Sequence, residues 1–123
     1  MVSNKEIVNL IKANVSGSFY PLSFSRNSPD ASSTVTASPA GSGTTGGIGR
    51  VSVQVITRDI HPDNAEKQSL LVRSFLHDRT DFFIAENVQV VHVQANDILP
   101  FFIGTDENGR YLFSLNYNFI LGV

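Results

Sequence analysis

The sequence predicts an α+β fold: a mixed, mainly antiparallel sheet of about four to five strands, two helices packed on it, and a long mobile arm rich in Gly, Ser and Thr. Three observations lead there. From Tyr111 to Leu121 every odd position is large and apolar, whereas Ser114, Asn116 and Asn118 make the even side polar. Side chains alternate across a strand, so this pattern is one long strand with an apolar and a polar face. Residues 50–58 and 88–93 are dense in β-branched residues, as strands prefer. Two further segments carry apolar residues at helical spacing.

Taken in order, Ser3 followed by Glu6 is a capping box, and Ile7, Leu10 and Ile11 form a stripe, so a helix is expected until about Asn14 to Gly17. Phe19 to Phe24 holds three aromatics around Pro21 and reads as a strand at a sheet edge. In residues 25–49, twenty of twenty-five are Ser, Thr, Gly, Pro or Ala. Such a stretch has little to bury, and it is expected to be a flexible arm that orders against a partner. Val51, Val53 and Val55 then alternate with Ser52, Gln54 and Thr57 around Ile56 in a strand from Arg50 to Arg58.

Asp59 to Asp63 turns the chain through Pro62. Asp63 and Glu66 are a plausible cap for a second helix, whose apolar face would be Ala65, Leu71, Val72, Phe75 and Leu76. Phe82 to Ile84 is read as a covering loop, Val88 to Val93 as a strand, and Asp97 to Phe102 as an irregular approach through Pro100. Asp106-Glu107-Asn108-Gly109 is a hairpin turn leading into the final strand. Eleven residues of strand reach roughly 37 Å, about twice the usual length, which points to a protein that assembles.

Composition narrows the functions. One hundred and twenty-three residues fit a single domain, and a 41% hydrophobic content supports an ordinary core. Nine basic and eleven acidic residues are scattered, with a net charge of −2, so no basic stripe offers itself to nucleic acid. With no cysteine, disulfides and thiolate metal sites are excluded. The N-terminus lacks the apolar run of a signal peptide and no stretch approaches a membrane span, so a soluble protein without membrane contact is expected.

The motifs of catalysis are equally sparse. Gly41-Ser42-Gly43-Thr44-Thr45-Gly46 spells G-x-G-x-x-G, yet a phosphate site needs a strand before it and a helix start after it. Here it sits in low-complexity sequence and leads into a strand. His61, His77 and His92 have no helical metal-pair spacing; His92 would share a strand face with Val88 and Val90 in a structural role, and His61 would be exposed before Pro62. Asp106 and Glu107 have a sufficient role in the turn, and the rest of a calcium loop is missing. No serine occupies a G-x-S-x-G elbow. Neither a cofactor, a metal nor an enzymatic activity is expected.

One combination is more specific. The strand Val51 to Arg58 runs into a helix containing Ala65 and Leu71. Then follows Leu99-Pro100-Phe101-Phe102-Ile103-Gly104-Thr105-Asp106-Glu107-Asn108-Gly109-Arg110-Tyr111, and after it Phe113-Ser114-Leu115-Asn116-Tyr117. Over residues 50–121 this resembles the tail terminator and minor capsid proteins of long-tailed bacteriophages, with their Pro-x-x-x-Gly-x-Asp-Glu-x-Gly-Arg run before an aromatic strand.

The resemblance implies a structural subunit of the virion tail, at the neck, made in the cytoplasm of a bacterial host. It implies a homohexameric ring that caps the tail tube, stops its polymerisation and meets the head–tail connector or stopper protein. Arg50, Arg58, Phe101, Phe102, Asp106, Arg110, Asn116 and Asn118 are the candidate residues for contacts between subunits or with these partners. Asp106 and Gly109 also have a structural reading in the turn. Another neck protein, a connector or stopper, is the alternative in the same class; a small cytoplasmic enzyme or ligand-binding domain is the alternative in another.

Overall fold

A computed structural model describes residues 3–39, 48–85 and 88–122. Helix α1, Asn4–Asn14, starts on the capping box: the Glu6 amide donates to Ser3 Oγ, and the Ser3 amide donates to the Glu6 carboxylate at 2.9 Å. Its buried face is Ile7, Val8 and Ile11. Helix α2, Pro62–Leu76, departs from the expected cap. His61 is the N-cap and makes no side-chain hydrogen bond; Pro62 opens the helix instead, its fixed φ and missing N–H both suiting that position. The buried stripe is Ala65, Ser69, Val72 and Leu76. Leu71 does not belong to it, because it lies about 100° around the helix from Val72, and it is exposed.

The remaining elements are strands: β1 (Phe19–Pro21), β2 (Ser32–Pro39), β3 (Ile48–Asp59), β4 (Thr80–Ala85), β5 (Val88–Ala95), β6 (Phe101–Thr105) and β7 (Tyr111–Gly122). They form one seven-stranded sheet in the order β1-β2-β3-β7-β5-β4, with β6 also paired to β7. Only β1 and β2 run parallel; the other pairs are antiparallel. As expected, the fold is α+β with two helices and a mainly antiparallel sheet. Among the described residues it has seven strands rather than four to five.

The extra strands come from three segments read otherwise. Ser32–Pro39 falls within the expected arm of residues 25–49, yet it pairs with β3 along its whole length and buries Ser32 to Val35. Its hydroxyls find partners inside the fold, as where Ser33 Oγ donates to Thr57 Oγ1 at 3.1 Å, so low hydrophobicity is no bar to order here. Residues 40–47 of that arm, with the G-x-G-x-x-G run, lie outside the described residues. Thr80–Ala85 is strand β4 rather than a covering loop, and the end of the irregular approach is strand β6.

Strand β7 holds the centre. Its odd residues Leu115, Tyr117, Phe119 and Leu121 are buried in one core with Val53 and Val55 of β3, Val90 and Val93 of β5, and the apolar faces of both helices, while Phe113 is buried beside Phe102. Its length has an internal cause. β3 pairs with all twelve residues along one edge, while β6 takes Tyr111 to Ser114 and β5 takes Tyr117 to Gly122 on the other. Both backbone edges are therefore used within the subunit, and the inference from strand length to assembly does not stand. On its even face, away from the helices, Ser114 is buried, Leu112, Asn116 and Ile120 are half-buried and Asn118 is exposed.

Candidate assembly surface

The turn between β6 and β7 is built by one carboxylate. Asp106 Oδ1 accepts from the amides of Asn108 and Arg110, both at 3.0 Å, and Oδ2 accepts from Arg110 Nε at 2.7 Å. The Gly109 amide donates to the Asp106 carbonyl at 3.1 Å, and Gly109 sits at φ +75°, where a side chain would be strained. Burial pushes the Asp106 carboxyl up, but the donated hydrogen bonds and the Arg110 charge outweigh it and hold the group below its ordinary 3.8. With the folded value depressed, the turn's stabilisation is complete above pH 3.8 and is lost as pH falls through the lower folded value. Acid titration followed at the Asn108 and Arg110 amide resonances should therefore show a midpoint below 3.8, and Asp106→Asn should abolish the transition.

Arg110 reaches further, to Asp30 at 3.4 Å, which ties the turn to the 22–31 loop. That loop closes over Arg58. The Arg58 Nη2 donates to Ser28 Oγ at 2.7 Å and to the Pro29 carbonyl at 3.1 Å, and the Phe24 ring lies 3.9 Å from the guanidinium carbon. Arg58 is only 6% exposed, and among the described residues its Nε has no acceptor. Burial first, then repulsion from Arg110, lowers its pKa. Arg58, Asp106 and Arg110 are thus drawn together, as part of a clasp that holds loop to hairpin. Arg58 is covered by its own subunit and can act on a partner only by positioning this clasp.

Beside the clasp runs an apolar ribbon. Ile98, Leu99, Phe101, Phe102 and Ile103 are each between 51% and 79% exposed. Phe102 leans on Phe113 and Tyr111, with ring centroids 5.6 and 6.1 Å apart, so it is anchored at its base and open at its tip. Phe101 stands opposite Ser114, on the other face. Among the described strands β6 pairs only with β7, which leaves its outer edge without a ladder. An apolar strand with an open edge is what a lone soluble subunit avoids and a binding surface uses. Phe101 and Phe102 were singled out in the sequence; Ile98, Leu99 and Ile103 were not. The apolar run from Ile98 to Ile103 was visible in the sequence, but such a run fits a strand buried on both faces equally well, so exposure was not legible there.

The other predicted residues lie apart. Arg50 and Asn118 are exposed and Asn116 is half-buried, on the sheet face opposite the helices. Gln54 Nε2 donates to Ser114 Oγ at 3.0 Å on that face, and Asn118 Nδ2 donates to Asn96 Oδ1 at 2.8 Å. His92 does not share a core face with Val88 and Val90, because a register shift between Val90 and His92 turns it outward to Asp78. His61 is exposed, as expected.

Chemistry of other kinds finds little footing. A cleft of about 300 Å³ beside α2 is lined by polar residues including Ser33, Asp59, Asn64 and Lys67, without a nucleophile and base set against each other. Among the described residues no group of three His, Asp or Glu side chains could hold a metal ion, and no helix is long and apolar enough to cross a membrane.

Comparison with known proteins agrees with the assembly reading. The model of a family described as bacteriophage tail terminator protein matches residues 10–123, which takes in the second half of α1, all of α2 and every strand. A search of curated proteins finds no match.

Proposed function

The chain belongs to the bacteriophage tail terminator family, whose members are structural components of the virion tail, and from that premise we propose that it caps the tail tube, stops its polymerisation and presents a surface to the head connector. In this reading it works as a homohexameric ring at the neck, after synthesis in the bacterial host's cytoplasm. The mechanism is stoichiometric: apolar surface leaves water at the tube end, and no bond is made or broken.

The exposed β6 ribbon carries the reading. Three large apolar side chains on a strand with a free edge, and two more on the connector before it, give a contact that a tube subunit or neighbouring copy can cover with both side chains and backbone. The clasp of Arg58, Asp106, Arg110 and Asp30 fixes the angle at which the hairpin projects. Arg50, Asn116 and Asn118, on the helix-free face, supply the polar contacts at the rim.

Mixing the protein with polymerising tube subunits tests this. Tubes should become shorter and capped at one end, and native mass measurement of the caps should give six copies. Tubes that elongate unchanged, with no subunit bound at either end, would overturn the terminator role. Binding only to the connector, and not to the tube, would favour a head–tail connector or stopper instead.

A further inference from the structure

The connector that delivers β5 into the apolar ribbon is held from behind by the last turn of α2. Arg73 Nε donates to the Asp97 carbonyl at 2.9 Å. The Asn96 amide donates to the Asn116 carbonyl at 2.9 Å. Next to these, the buried Ala95 amide donates to Nδ1 of His77 at 3.0 Å. An imidazole here takes the place of a strand neighbour. The residues after it continue the pairing by main chain, with the Asp78 amide donating to the Val93 carbonyl and the Val93 amide to the Arg79 carbonyl. Asp78 turns the chain at φ +62°, a conformation an aspartate tolerates.

This geometry determines the proton on His77. An amide N–H can only donate, so Nδ1 must be the bare nitrogen, and the single ring proton of the neutral side chain lies on Nε2. Nε2 is 3.3 Å from Asp78 Oδ2, where that proton has an acceptor. A second proton has only Nδ1 to bind, and there it meets the Ala95 N–H head-on.

We infer that His77 is a proton-sensitive latch: neutral, it fastens the end of β5 to α2 behind the apolar ribbon, and protonated, it lets the Ala95 amide go. The surroundings fit this behaviour. Asp78, whose Oδ2 already faces His77 Nε2, is shared with His92 of β5, whose Nε2 is 3.1 Å from Oδ1. The cations nearby are otherwise engaged, Arg73 on the Asp97 carbonyl and Arg79 on the Phe75 carbonyl with its guanidinium over the Phe75 ring. Asp97 lies on the connector and Tyr117 is buried on β7 opposite Ala95; the other titratable groups of the neighbouring elements are Asp63, Glu66 and Lys67 of α2, Asp81 of β4 and Tyr111 of β7. The imidazole is itself about a quarter exposed, so protons reach it without unfolding. The latch holds whatever the ribbon binds, because it is a property of the subunit alone.

The test is amide exchange at Ala95 in the ¹⁵N-labelled full chain at pH 7.5 and 5.5, each corrected for the intrinsic exchange rate. Loss of one net hydrogen bond predicts a fall in protection of several-fold to about tenfold on acidification. His77→Asn keeps an acceptor oxygen near the Nδ1 position without a titrating group, and its Ala95 protection should be the same at both pH values. His92→Gln, which does not touch Ala95, should retain the wild-type fall. Imidazole ¹⁵N shifts at pH 7.5 should show the proton of His77 on Nε2. Equal protection in the wild type at both values, an undiminished fall in His77→Asn, or the proton on Nδ1 would overturn the latch. None of these outcomes bears on tube capping, which is measured separately.

Discussion

If the protein caps the tube as proposed, replacing Phe101 and Ile103 together by serine will leave the subunit folded and weaken binding to the tube end roughly 10- to 100-fold. Both side chains are a little over half exposed, so serine removes apolar surface that already lies mostly in water. Surface changes of this kind shift stability by about 0.5 kcal/mol or less. Phe102 is kept, because it packs on Tyr111 and Phe113 and anchors the hairpin. Against a partner the balance reverses. Burying the exposed half of two such side chains contributes about 1.5–3 kcal/mol, and that is what the double variant loses. Urea denaturation should superimpose with the wild type, while co-sedimentation with preformed tubes should fall away. Unchanged sedimentation with an intact fold would move the contact to another surface.

The second large effect is on stability. Phe119→Ala should cost about 3–5 kcal/mol, a large share of the roughly 5–15 kcal/mol that holds a domain of this kind. Phe119 is completely buried, stands opposite Val51 of β3 and Val93 of β5, and so touches the middle of the core from the central strand. Truncating it opens a cavity that three strands would have to move together to fill. Its neighbour Asn118 faces the other side of the sheet and is exposed. Asn118→Ala should lose only the hydrogen bond to Asn96, about 1 kcal/mol or less. The contrast between adjacent residues, read as denaturation midpoints, checks the facing of β7; similar losses at both positions would contradict it.

How legible these features were depended on the range of the interactions behind them. The capping box at Ser3 and the turn at Asp106 use residues three or four apart, and both formed as the sequence indicated. The alternation of β7 put Leu115, Tyr117, Phe119 and Leu121 in the core as expected, with Phe113 buried beside Phe102 and Tyr111 half-buried. Strand β2 was hidden, since nothing in Ser-Ser-Thr-Val-Thr-Ala-Ser announces burial until β3 and α1 lie against it; the Ala37 amide even finds its acceptor on Asn4. The clasp was hidden for the same reason, its ion pair joining residues 80 apart. Two candidate residues, Arg58 and Arg110, were picked out in the sequence, but the 22–31 loop that covers Arg58 was not.

The long last strand shows the division most clearly. By itself the sequence determined that Tyr111 to Leu121 is extended, which residues share each of its faces, and that a tight turn precedes it. Those are consequences of backbone geometry and local hydrogen bonding, and they need no neighbours. Only the tertiary structure decided what the length is for. β3 covers one edge, β5 and β6 divide the other, and the surface left over is the β6 ribbon rather than β7. Burial depends on which strands arrive from elsewhere in the chain, so the same apolar residue type becomes core at Phe119 and exposed surface at Phe101.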